Sequence, residues 1–171
     1  MNLELSHTFD EASFRHFVNG HNVVLHCHHY MSLTTRLSED FADLGGPRVL
    51  REATEDSIRP VLDSYFAEHK VTSPADRLDL GRQYFSAMGL GRMEVSGSAT
   101  EGQVTLRHSH VDEGWVQKWG AHDKPVNHVG CGFVAAMFAA AFDRPARSFQ
   151  VTESASIVMG APASVLAVRQ A

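Results

Sequence analysis

The sequence predicts a single α+β domain spanning residues 1–171. Apolar residues recur at helical spacing from about residue 31 to residue 88. After Gly91 the apolar period falls to two, the signature of half-buried strands, as far as His110. A helical stretch that is apolar all round then precedes two short closing strands. Helices and strands grouped in blocks, not alternating, predict α+β over a parallel sheet. No internal repeat or low-complexity linker interrupts this order, so a single domain is expected.

The bulk properties narrow the class. A chain of 171 residues, 43% hydrophobic and 20% charged, is long enough to bury a real core. Its net charge is −5 and it has no Lys/Arg cluster, so neither nucleic acid nor an anionic membrane surface is an expected partner. No apolar run approaches the ~20 residues of a membrane span, and Met1 to Phe9 lacks the basic-then-apolar order of a signal peptide. Two cysteines, Cys27 and Cys131, imply no disulfide framework. The expectation is a cytoplasmic protein with a small-molecule substrate or ligand. Histidine is the outlier, at 11 residues, which gives the chain many groups able to titrate near neutrality.

Taken in order, Thr8 and Asp10 offer N-caps for a short helix with Phe9, Phe14 and Phe17 as its stripe and Gly20 as its stop; His16 reads as a surface residue of it. His21 to Tyr30 reads as a strand. Leu33, Leu37, Phe41 and Leu44 then recur at spacings of three and four, predicting a helix from Met31 to Leu44 that Gly45-Gly46-Pro47 breaks. A second helix runs from Val49 to Phe66, kinked or divided near Pro60. Ser73-Pro74 opens a third, with Leu78, Leu80, Tyr84, Phe85 and Met88 as its apolar set and Gly89 as its stop. Arg92–Ser96 and Gln103–His110 alternate as strands about a turn at Glu101-Gly102. Val111 to Pro125 reads as irregular; Trp115 and Trp119 there form either a flap or the edge of the core. Asn127 opens a buried helix through Phe142, and Ser148–Thr152 and Ser164–Arg169 are the closing strands.

The chemistry concentrates at His26-Cys27-His28-His29-Tyr30, four possible metal ligands and a phenol beside an apolar run. On a strand, His26 and His28 share one face with Val24, while Cys27 and His29 share the other with Leu25. Imidazole pairs of this kind suit zinc, copper or iron, though they also occur as hydrogen-bonded core residues or exposed clutter. The strand from Gln103 offers a second pair, because His108 and His110 continue the face of Val104 and Leu106. The alternative is that this strand leaves the core near Arg107, with both histidines at a wet edge. His26, His28, His108 and His110 are therefore the candidate metal ligands. His29 and Glu153 are the candidates for proton transfer; capping or an ion pair is the plain role for Glu153. Cys131 shares a helix face with His128 and is either a nucleophile activated there or a small buried residue.

The C-terminal pattern, Cys131-Gly132-Phe133 opening a helix, then Val151-Thr152-Glu153-Ser154, then Gly160-Ala161-Pro162 before a last strand, resembles the 4-vinyl reductase (hydrocarbon-binding) domain. That family shares its α+β fold with TRAPP transport components. The resemblance implies an antiparallel sheet on helices, frequent homodimers and a pocket for small apolar ligands. Typical members also carry Cys three residues after the Glu and again before the last strand, often as metal ligands. Ser156 and Ser164 stand at those places here. In architecture the chain is also similar to L-2-amino-thiazoline-4-carboxylic acid hydrolases, whose terminal Cys it lacks.

Three functions compete on these residues. The leading expectation is an enzyme, hydrolytic or redox, with a histidine-bound transition metal acting as Lewis acid or activating water or oxygen. The second is a non-catalytic sensor or carrier holding a small apolar ligand or a haem. The third is metal-free hydrolysis of a small amide or thiazoline through Cys131.

Overall fold

The computed structural model describes residues 1–171 and has the expected α+β architecture. It opens differently from the sequence reading. The helix expected over residues 8–20 is instead a three-stranded antiparallel ribbon: β1 (His7–Asp10), β2 (Arg15–Val18) and β3 (His21–Val23). The β2–β3 connection is Asn19-Gly20, with φ of 48° and 78°. Two consecutive left-handed residues make the two-residue hairpin turn for which Asn-Gly is the preferred sequence. Gly20 therefore stops a strand and not a helix. The ribbon is clipped to the body through Asn19 Nδ2, which donates to the Tyr84 hydroxyl at 2.5 Å, and Leu3 N and Glu4 N, which donate to Gln83 Oε1 and the Tyr65 hydroxyl, each at 2.8 Å.

The strand expected from His21 to Tyr30 ends at Val23, and His28 already lies in α1 (His28–Asp40). Helix α2 (Gly46–Glu68) passes through Pro60 without dividing. Proline removes one backbone hydrogen bond there, but Leu62, Tyr65 and Phe66 are buried immediately after it and hold the next turns in place. Helix α3 (Pro74–Ala87) starts as expected, with Ser73 Oγ accepting from Asp76 N.

Strands β4 (Gly91–Gly97), β5 (Glu101–Ser109), β6 (Phe149–Ala155) and β7 (Ser164–Gln170) form one antiparallel sheet in the order β4-β5-β7-β6. Its inner face carries Val104, Leu106, Val151, Leu166 and Val168, all buried. Helix α5 (His128–Ala141) lies at the centre, and every one of its residues is buried, as its all-round apolarity requires. Asn127 caps it, accepting from Gly130 N at 2.8 Å.

The segment read as irregular contains α4 (His110–Trp119). Ser109 caps it by accepting from Asp112 N at 3.3 Å. Near its end β5 also carries a bulge: Leu106 pairs with Met93 and His108 with Arg92, so Arg107 has no partner of its own. One extra residue reverses the alternation. Leu106 faces the core, His108 faces out, and Ser109 is buried.

Candidate ligand-binding site

A cavity of about 90 Å³ lies between the ribbon and the helices. Helix α2 supplies Ser57, Ile58, Val61 and Leu62, whose spacing places them on one face. Tyr84 and Met88 follow from α3, Phe133 from α5, and Val18, His21, Asn22 and Val23 from the ribbon. The wall is mostly apolar, with a few polar groups at its rim, the usual composition of a small-molecule pocket. Tyr84 is 2% exposed, and burial pushes its phenol above the ordinary value. Its oxygen accepts from Asn19, which leaves the phenol O–H as a donor. A 90 Å³ space falls far short of the several hundred Å³ of a drug-sized ligand, and a haem does not fit it.

None of the residues singled out from sequence for catalysis or metal binding lines this cavity. Their own grouping differs from expectation. His26 precedes α1, His28 is its first residue and His110 is the first residue of α4; the His110 ring lies 5.9 Å from that of His26 and 5.8 Å from that of His28, between centroids. His110 Nε2 is buried without a hydrogen-bond partner. Burial, and then His26 and His28, hold its pKa below the ordinary value. The His29 ring lies tilted against that of His28, 4.9 Å away between centroids, but is exposed. His108, turned outward by the bulge, donates from Nδ1 to Glu113 Oε1 at 3.2 Å with its side chain 73% exposed. The pairing of two His-x-His faces is thus replaced by three histidines from two helix starts, and no group of three or more His, Cys, Asp or Glu is arranged to hold a metal ion.

Cys131 is 2% exposed and burial pushes its thiol up to about 12. His128 cannot activate it, because its Nε2 hydrogen-bonds Glu39 and its Nδ1 accepts from Arg51 Nε at 3.2 Å. Glu153 is likewise buried; its Oε2 accepts from Asn127 N at 3.3 Å, and burial, then Asp112, raises its pKa. Ser164 Oγ donates to Asp112 Oδ2 at 3.1 Å and accepts from Ile157 N at 3.0 Å. Where a thiolate metal site was implied by family resemblance, this chain has one protonated thiol, two serines and two buried acids. The donor set does not fit a soft metal.

No family model matches the sequence, and no characterised protein matches it at significance. Solved structures do match its fold. The phenol-responsive sensory domain of the transcription activator PoxR, with phenol, aligns with a TM-score of 0.79 at 13% identity, over 96% of this chain and 84% of that one. A trafficking protein particle complex subunit 3 from Naegleria fowleri, covalently bound to palmitic acid, aligns at 0.51 and 10% identity, over 81% of this chain and 95% of that one. At these identities the likeness is one of fold.

Proposed function

We propose that this chain is a small-ligand-binding domain of the sensor or carrier kind, taking a one-ring, weakly polar aromatic molecule such as a phenol. The observation that carries the reading is the small, mostly apolar cavity between the ribbon and the helices, with the buried Tyr84 in its wall. The fold it shares with a phenol-bound sensory domain supports it. An engineered cavity of roughly 150 Å³ accommodates benzene, so the 90 Å³ here opens slightly to admit a ring. The ribbon, a separate sheet clipped by a few hydrogen bonds, is the wall that gives. Apolar burial supplies most of the affinity, and the phenol hydroxyl accepts the Tyr84 proton.

Calorimetric titration with phenol, toluene and cyclohexane tests this. Phenol should bind best, and Val61→Trp, which fills the cavity, should abolish binding while the helical circular dichroism persists. Tyr84→Phe should weaken phenol by up to about tenfold, 1.4 kcal/mol, and leave toluene unchanged. Absence of heat and of thermal stabilisation with all three ligands at millimolar concentration would sink the reading.

A further inference from the structure

We propose that the cleft between α1 and α4 is a second binding site, one that takes a planar aromatic carboxylate of two fused rings. The cleft measures about 320 Å³ and shares no residue with the cavity under the ribbon. Helical spacing builds two of its sides. Arg36, Glu39 and Asp40 share one face of α1, and Trp115 and Trp119 stand four apart on α4. His122 and Lys124 close it from the segment after α4. That segment turns at Gly120, with φ of 78°, and is tied down where His122 N donates to Val158 O at 2.8 Å. The Trp115 ring lies 4.8 Å from that of Trp119 and 5.1 Å from that of His122, between centroids. Trp115 is buried and Trp119 half-buried, so the row of rings runs from the core to the rim. Both tryptophans of the chain thus face one cleft, where they offer a planar guest the offset or edge contacts that aromatic rings prefer.

The charges decide the sign of the guest. Two acids line the cleft, and both are engaged. Asp40 Oδ1 accepts from Arg36 Nε at 2.7 Å. Glu39 hydrogen-bonds His128 Nε2, and the same ring accepts from Arg51 at Nδ1. The cations are not used up. Arg36 keeps both terminal nitrogens without a protein partner, and its guanidinium stands 5.9 Å from the centre of the Trp119 ring. Lys118 Nζ stands 5.3 Å from the same ring. Lys118 and Lys124 form no ion pair, and they are two of only three lysines in a chain of net charge −5. A cationic guest would meet like charges at Arg36, Lys118 and Lys124, whereas a carboxylate on a stacked ring meets charged donors. Size sets the ring count. A cavity of roughly 150 Å³ holds benzene, and the 320 Å³ here leaves room for a second ring and its carboxylate. That volume also reaches the range of about 300–1,000 Å³ usual for small-molecule sites.

Because Trp115 and Trp119 are the only tryptophans, their indole N–H resonances report on this cleft alone. Titration of the full chain with β-naphthoate should shift both resonances and evolve heat in a calorimeter. β-Naphthamide, with the same rings and no charge, should bind at least about tenfold more weakly, the scale of a charge-assisted hydrogen bond. The exposed pair Lys118→Gln, Lys124→Gln should weaken naphthoate by about the same factor and leave naphthamide alone. Added salt should weaken naphthoate as well. Trp119→Leu should weaken both ligands, while its circular dichroism and phenol titration stay those of the wild type. Val61→Trp, which fills the other cavity, should leave naphthoate binding unchanged. Four results would each overturn the proposal: neither heat nor shift with naphthoate at millimolar concentration, naphthamide binding as tightly as naphthoate, a lysine double variant indistinguishable from wild type, or naphthoate binding lost in Val61→Trp.

Discussion

His110 illustrates how one side chain can be left unsatisfied by a fold and become the place to look for chemistry. Its Nε2 is buried without a partner and its ring sits beside those of His26 and His28. Burial disfavours the imidazolium, and the neighbouring His26 and His28 disfavour it further. A group whose folded pKa is depressed contributes stability above its unfolded value of about 6.5, and that stability is lost as pH falls through the folded value. The His110 NMR titration should therefore have its midpoint below 6.5, and His26→Ala should move it upward. A midpoint at or above 6.5 would contradict the burial argument. The neutral imidazole also keeps the metal reading testable: if three rings can converge by rotation of the exposed His26, zinc at neutral pH should shift the His110 resonances at one equivalent. Unchanged resonances in zinc, copper and iron(II) would close that reading.

At the scale of elements, the ribbon matters because it forms one wall of the cavity. Its geometry depends on Gly20, whose φ of 78° suits glycine and strains any other residue except, more mildly, Asn or Asp. Gly20→Ala should cost about 1 kcal/mol or more, speed hydrogen exchange over residues 15–23 and weaken phenol several-fold. Gly160→Ala, at φ 89° and likewise in open space, provides a matched strain far from the cavity and should leave phenol affinity alone. Equal loss of affinity in both variants would remove the ribbon's role. The same elements mark how far the sequence could be read. Helices α2, α3 and α5 were legible because Pro74, Asn127 and sustained apolar spacing agree with one another. The ribbon was not, because Phe9, Phe14 and Phe17 mimic a helical stripe while Asn19-Gly20 carries the stronger, shorter signal of a hairpin. Helix α4 hid behind the strand alternation, although Ser109 and Asp112 form a helix-start pair three residues apart. The cavity was illegible for a different reason. Tyr84 and Phe133 look like core residues in any pattern, and only the tertiary placement of the ribbon leaves a space between them.

At the scale of the whole molecule, the stability of the sheet's junction with α4 and α5 is tied to two buried acids. Asp112 is fully buried, its Oδ2 accepting from Asn127 Nδ2 at 2.9 Å and from Ser164 Oγ, so it links α4, the cap of α5 and the first residue of β7. Glu153 of β6 reaches the same cap. Asp112 Oδ1, Glu153 Oε1 and Ser156 Oγ have no hydrogen-bond partner, and leaving a buried carboxyl unpartnered costs far more when it is charged than when it is neutral. Burial is the first cause raising both pKa values, and each carboxyl has a further acid nearby, Glu113 beside Asp112 and Asp112 beside Glu153. A raised carboxyl contributes stability fully present below its unfolded pKa of about 4, and that stability is lost as pH rises through the folded value. The thermal midpoint of the wild type should accordingly fall more between pH 5 and pH 8, a window of about three units above the unfolded carboxyls, than that of the Asp112→Asn, Glu153→Gln double variant. The amides keep the shape and stay neutral, so their curve should be the flatter of the two. Parallel curves for the two proteins would mean that both acids are already ionised in the folded state at pH 5, and the proton-bearing junction would have to be abandoned.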